Sequence, residues 1–236
     1  MRDMGKVVVC IPARAGSKRV KAKNLRDLCG QPLLAYAINT AKKCFDNSDI
    51  YVNSDSPEML ALAKSLGVRQ YSRDSALASD TATGDQFAID FIRNINVDTL
   101  VMISPVCPLI APEDIKNALL AYRESDCDTL ITCETTQMQV FCDGRPVNID
   151  LSEQLAPTQD NKTVSILNWA VTIWDAKQFV TSFENTGSAY IGNNRLLFPV
   201  DPTHAIKISN ESDFKAAESL IYQLRGEHLM GASTKS

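Results

Sequence analysis

Five apolar residues, Val7-Val8-Val9-Cys10-Ile11, run unbroken up to Pro12 and a basic loop. No other stretch constrains the fold as much. An unbroken Val-rich run predicts a strand buried on both faces, as in a parallel sheet. Pro12 has no N–H to give and ends the pairing. Arg14, Lys18, Arg19, Lys21 and Lys23 follow with no acid between them, in a chain whose net charge is −4. A buried first strand that leads into a Gly-containing basic loop predicts an α/β protein with a phosphate site. Gly16 lets the backbone come close to a ligand, and the loop N–H groups are expected to form an anion nest. Neither Gly-x-x-x-x-Gly-Lys-[Ser/Thr] nor Gly-x-Gly-x-x-Gly is present.

At 236 residues the chain suits one large α/β domain, or a domain with an appended arm. The net negative charge argues against a nucleic-acid binder. No apolar run reaches the length of about 20 residues that spans a bilayer. The N-terminus enters the first strand without a signal-peptide pattern, so a cytoplasmic protein is expected. Seven cysteines, an odd number, include no Cys-x-x-Cys pair, and His204 and His228 are far apart in sequence. Reduced thiols are expected, with neither a disulfide framework nor a zinc site.

The remaining pattern alternates short strands with helices. Leu33, Leu34, Ala37, Ile38 and Ala41 mark a helix face after Gln31-Pro32. Ile50-Tyr51-Val52 is a short strand, and Ser56-Pro57 starts a helix that Gly67 stops. Residues 68–71 form another short strand. Phe87, Ile89, Phe91 and Ile92 mark a further helix, preceded by a polar small-residue loop that suits a ligand. Residues 99–103 and 128–134 read as strands, with a helix begun at Pro112 between them. Residues 137–162 are polar and loop-like. Residues 164–174 and 196–200 return to strand. The last helix runs from Glu211 to about Arg225, with Asn210 as N-cap and Asp213 at the capping-box position. From Gly226 the tail is small and polar and is expected to be loose.

Three segments carry a family resemblance. Ile11-Pro-Ala-Arg-x-Gly-Ser-Lys-Arg with Lys23-Asn24-Leu25 resembles the opening motif of the sugar-acid cytidylyltransferases, the CMP-sialic acid and related CMP-ulosonic acid synthetases. Arg73-Asp-Ser-Ala-Leu-Ala-Ser-Asp-Thr-Ala-Thr is similar to that family's Arg-Pro-x-x-Leu-Ala-x-Asp-Thr-Ala-[Ser/Thr]. Ser104-Pro-Val-Cys-Pro-Leu with Glu113-Asp114-Ile115 resembles its strand, turn and helix. The resemblance implies a Rossmann-like nucleotide-diphosphosugar transferase fold, α/β, with a mainly parallel sheet flanked by helices. It implies a single domain over residues 1–228, an inserted dimerisation arm at about 137–195, and a flexible tail at 229–236. It implies a homodimer that transfers CMP from CTP to a sugar acid, releases pyrophosphate and uses Mg2+. Arg14, Lys18 and Lys23 are then the catalytic cations. Ala13, Ala15, Gly16, Ser17, Asn24, Arg73, Ala82, Thr83 and Ser104 are then the nucleotide-binding positions.

The sequence also departs from the family. Ser104 and Ile110 stand where the sialate branch has Gln and Arg. Val106 stands where the octulosonate branch has a metal-binding Asp. Thr158-Gln159-Asp160 stands where relatives carry Arg-Gln-Asp. Asn168-Trp169-Ala170 replaces an Asn-Gly-Ala, which predicts a reshaped acceptor pocket, although core or interface packing is the expected role of Trp169 and Trp174. The family's magnesium-holding Asp-x-Asp reads Lys207-Ile208-Ser209. Its ligands are therefore not evident, with Asp201, Glu211 and Asp213 the nearby acids. Two alternatives stay open: a protein that holds nucleotide without turnover, and a transferase for another base or acceptor.

Overall fold

The computed structural model describes all residues except 18, 153 and 234–236; for 227–233 it describes the backbone alone. Seven strands form one sheet: β1 (Val7–Pro12), β2 (Ile50–Ser54), β3 (Arg69–Ser72), β4 (Thr99–Ile103), β5 (Thr129–Thr136), β6 (Val164–Asp175) and β7 (Arg195–Pro199). Their order is β7-β5-β6-β4-β1-β2-β3. Every pairing is parallel except those of β6, which runs antiparallel to both β4 and β5.

Strand β1 sits between β4 and β2, so chain order reverses beside it. The carboxyl ends of strands at such a reversal leave a crevice for ligand. Alternation along β1 fills both layers of the core. Val9 and Ile11 pack with helices α1 (Leu33–Ala41), α2 (Pro57–Ser65) and α4 (Pro112–Glu124). Val8 and Cys10 pack with α3 (Gly84–Asn94) and α5 (Ala176–Thr186). A smaller cluster joins Val20, Leu28 and Leu33 to α6 (Glu211–Ser233) through Ile208, Phe214, Ala217 and Ile221. That contact brings residues 207–209 back to the first loop.

Two elements differ from the sequence reading. Helix α5 was not expected, yet its boundary signals are clear: Asp175 accepts the N–H of Gln178 at 2.9 Å, and Gly187 ends it at φ 73°. Helix α6 continues past Arg225 to Ser233. Of the stretch 137–195, β6 and α5 belong to the central layers and Arg195 begins β7, which leaves 137–163 and the loop 187–194 outside them. Asn210 and Asp213 form the expected cap: Asn210 Oδ1 accepts the Asp213 N–H, and Asp213 accepts the N–H groups of Ser209 and Asn210.

Candidate active site

A cleft of about 920 Å3 lies over the carboxyl ends of β1, β3 and β4. Among the described residues five cations line it: Arg14, Arg19, Lys23, Arg73 and Lys207. Asp85 is the one acid among the described lining residues, and its Oδ1 accepts the N–H groups of Ala189 (2.5 Å) and Tyr190 (2.8 Å). The cleft is therefore built for an anion.

Lys23, Arg14 and Arg73 are each positioned by a different device. Ala22 takes the left-handed conformation at φ 49° and turns the chain into the short helix Lys23–Leu25. Lys23 Nζ then donates to the carbonyl of Ile208 at 2.9 Å. Burial lowers the Lys23 pKa, and the nearby Arg19, Lys207 and Arg14 lower it further. Arg14 pairs with Asp80 at 3.0 Å on the exposed rim, where such a pair contributes about 0–1 kcal/mol. Arg73 is only 7% exposed; it donates from Nε to Asn53 Oδ1 (2.7 Å) and from NH2 to the Asn53 carbonyl (3.0 Å), and its guanidinium lies 4.7 Å from the centre of the Phe87 ring. Among the described residues no acid reaches it within salt-bridge distance, although Asp55 attracts it from farther off, and a buried charge so weakly compensated favours an anionic ligand.

Of the sequence-derived positions, the structure brings Arg14, Ser17, Lys23, Asn24, Arg73 and Ser104 together on the cleft wall. Asn24 is buried, and its Oδ1 has no hydrogen-bond partner. Lys18 lies outside the described residues. Ala13, Ala15, Gly16, Ala82 and Thr83 are not on the wall. Ala13 is fully buried in the core, and the Thr83 hydroxyl caps α3 by accepting the Gln86 N–H. The expected anion nest is taken by protein acceptors. Ala13, Ala15 and Ser17 give their N–H groups to Asn53 O, Asp55 Oδ1 and Ala15 O.

The opposite end of the cleft is aromatic. Trp169 and Tyr190 rings lie 5.3 Å apart, Phe87 and Tyr190 6.2 Å, and Trp174 and Tyr190 4.9 Å. The Tyr190 hydroxyl meets Met102 Sδ at 3.3 Å. Trp169 lines the cleft while packing on Tyr190, and Trp174 is buried. The pairing of β6 with β5 shifts register between Leu167 and Thr172, and within that irregularity Trp169 has φ 61°. The left-handed region costs a side-chain-bearing residue roughly 1–2 kcal/mol. Sequence reasoning missed Asp85, Phe87, Met102 and Tyr190. Tyr190 follows α5, itself unforeseen, so no local pattern pointed to it.

The residues do not fit a magnesium ion. Among the described residues no group of three or more His, Cys, Asp or Glu side chains could hold a metal. The three nearby acids are committed elsewhere: Asp201 to Thr203, Glu211 to Arg26 at 2.7 Å, and Asp213 to the cap of α6.

Residues 8–230 match the cytidylyltransferase family. The chain belongs to that family. Among relatives of this cytidylyltransferase is a CMP-N,N'-diacetyllegionaminic acid synthase of Legionella pneumophila, 26% identical over 92% of this chain and 96% of the relative. Another is the post-translational flagellin modification protein B of Campylobacter coli, 28% identical with the same coverage of both chains. In fold it resembles a CMP:2-keto-3-deoxy-manno-octonic acid synthetase solved with CTP, with TM-score 0.70 and 15% identity over 93% of this chain and 99% of that one.

Proposed function

We propose that this cytidylyltransferase transfers CMP from CTP to a sugar acid and releases pyrophosphate. The observation that carries the reading is the cleft itself, lined by five cations against one tethered acid at the reversal of strand order. Triphosphate occupies the basic end, and the sugar acid occupies the aromatic end. A sugar hydroxyl attacks the α-phosphorus in line, the bond to the bridging oxygen breaks, pyrophosphate departs, and the hydroxyl proton passes to solvent. Charge grows on the departing pyrophosphate. Arg14, Arg19, Lys23 and Lys207 face that charge without transferring a proton. No step is assigned to a metal. Measuring pyrophosphate release with CTP and a panel of sugar acids tests the reading, and its absence with every acid defeats it.

A second reading has one observation in its favour. The acids that stand near the family's metal position are all committed to other partners, which suits a protein that holds nucleotide without turnover. CTP binding without pyrophosphate release selects it.

The protein acts as a homodimer joined through residues 137–162 and the strand that follows. Met138, Phe141, Val147, Leu151, Leu155 and Ile166 expose large apolar side chains there, as interface residues do. Light scattering at micromolar concentration tests this, and a monomer removes the claim. The seven free cysteines suit a reducing, cytoplasmic setting. No described helix is long and apolar enough to cross a membrane.

A further inference from the structure

We propose that Asp85 is a positioning residue for the transfer: it holds the loop 187–194 down on α3 and thereby places the Tyr190 ring in the cleft wall. The inference rests on the reading above that the aromatic end receives the acceptor.

Three observations carry it. The first is the placement of the acid. Asp85 stands in the first turn of α3, where a carboxylate ordinarily serves the helix dipole. Here it lines the cleft and grips backbone 104 and 105 residues further along the chain: its Oδ1 accepts the N–H groups of Ala189 and Tyr190. Bonds to an ionised oxygen are roughly twice as strong as neutral ones. The second is the loop. Gly187 (φ 73°) and Gly192 (φ 71°) bound a segment whose Ser188, Tyr190 and Ile191 line the cleft. Its far end is anchored separately, where Asp128 Oδ2 accepts the N–H groups of Asn193 and Asn194 at 3.1 and 2.9 Å. Between the glycines, Asp85 takes the N–H of Tyr190 from the side of α3, and the Trp174 indole N–H takes its carbonyl at 2.9 Å from the side of β6.

The third observation is the neighbour of the acid. A Cβ at Gly84 would lie 2.7 Å from the Tyr190 ring. The chain thus has no side chain at 84, where the ring enters, and a carboxylate at 85, where the backbone must be held. The consequence extends along the wall, because Phe87, Trp169 and Trp174 all pack on Tyr190. Released from Asp85, the loop is free to pivot at its two glycines, and the shared ring moves with it. A shift of about 1 Å in a surface that positions substrate is enough to cost on the order of a hundredfold.

The test uses the full chain with CTP and the sugar acid of the panel that it uses fastest, N-acetylneuraminate and 3-deoxy-manno-octulosonate being among those offered. Asp85→Ala removes the grip, and the acceptor KM rises by about tenfold or more while CTP affinity is unchanged. Asp85→Asn keeps an oxygen for both N–H groups and restores most of the loss. Amide hydrogen exchange gives a readout that needs no substrate. In Asp85→Ala the Ala189 and Tyr190 N–H groups exchange faster, whereas those of Asn193 and Asn194, on the separate anchor, keep their natural rates and show the fold intact. An unchanged acceptor KM in Asp85→Ala overturns the proposal and leaves the transfer reaction standing. An Asp85→Asn variant as impaired as Asp85→Ala overturns it as well, because charge rather than the grip would then matter. Ala189 and Tyr190 amides that exchange in the natural protein as fast as in an unfolded chain overturn it too. Pyrophosphate released with no acid of the panel defeats the transfer reading and this positioning role together.

Discussion

The basic end of the cleft brings together Arg14, Arg19, Lys23 and Lys207, whereas the aromatic end packs Phe87, Trp169 and Tyr190. The first gathers like charges that repel, and burial and the neighbouring cations lower the Lys23 pKa. The second gathers groups that attract one another and would pack the same way without a ligand. The basic end is thus poised for an anion that relieves it, at some expense to the free protein. The aromatic end is preorganised and excludes what does not fit. In the proposed function one end holds the nucleotide through charge, and the other selects the acceptor through shape.

The comparison breaks most sharply at Arg14. Arg14→Ala removes a charge-assisted contact of about 1.5–3 kcal/mol, so calorimetry should find CTP affinity reduced roughly ten- to hundredfold. Acceptor preference should stay the same. Unchanged CTP affinity would sink the division of labour.

Gly84 tests the aromatic end. A Cβ there would lie 2.7 Å from the Tyr190 ring, so the ring must move. Gly84→Ala should cost about 1–3 kcal/mol of stability by overpacking, read by denaturant unfolding. It should weaken acceptor binding more than CTP binding. A variant as stable as the natural protein would show that Tyr190 is not fixed.

Lys207 sharpens the account of the basic end. It lines the cleft where relatives are expected to hold magnesium, so CTP affinity should change little when magnesium is titrated in. Lys207→Asp with Ser209→Asp should create a magnesium requirement. A strong magnesium effect on the natural protein would mean that other residues hold the metal.

The smallest expected effect is a proton count. The Lys23 pKa in the folded free protein lies below its ordinary 10.5. Between those two values the unfolded chain holds a proton that the folded protein lacks, so stability of the free protein rises with pH across that window. Triphosphate beside Lys23 raises its pKa again. Nucleotide binding at alkaline pH should therefore take up protons, measured by calorimetry in buffers of different ionisation heat. Proton release would contradict the placement of phosphate at Lys23.

The basic end was legible in the sequence because it is local. Arg14, Ser17, Lys23 and Asn24 follow β1 closely; charge marks Arg14 and Lys23, and the family resemblance marks Ser17 and Asn24. Even there the N–H groups of Ala13, Ala15 and Ser17 proved to be spent on protein acceptors, which side-chain identity cannot reveal. The aromatic end was hidden because it is assembled from distant segments. Phe87 comes from α3, Trp169 from an irregularity in β6, and Tyr190 from the loop after α5. Trp169 stands at φ 61°, a backbone state that no periodicity encodes. A buried strand of a mainly parallel sheet was legible from the Val-rich first strand, whereas the strand order was not. The antiparallel β6 was not, because strand direction depends on pairing rather than composition.

The central claim is that the cleft performs CMP transfer, and one measurement addresses it directly. Pyrophosphate release is followed for the purified chain with each of the common nucleoside triphosphates and the sugar-acid panel, beside Arg14→Ala. The account predicts release that requires both CTP and a sugar acid and falls steeply in Arg14→Ala. Release that is equal with every triphosphate, or undiminished in Arg14→Ala, would contradict it.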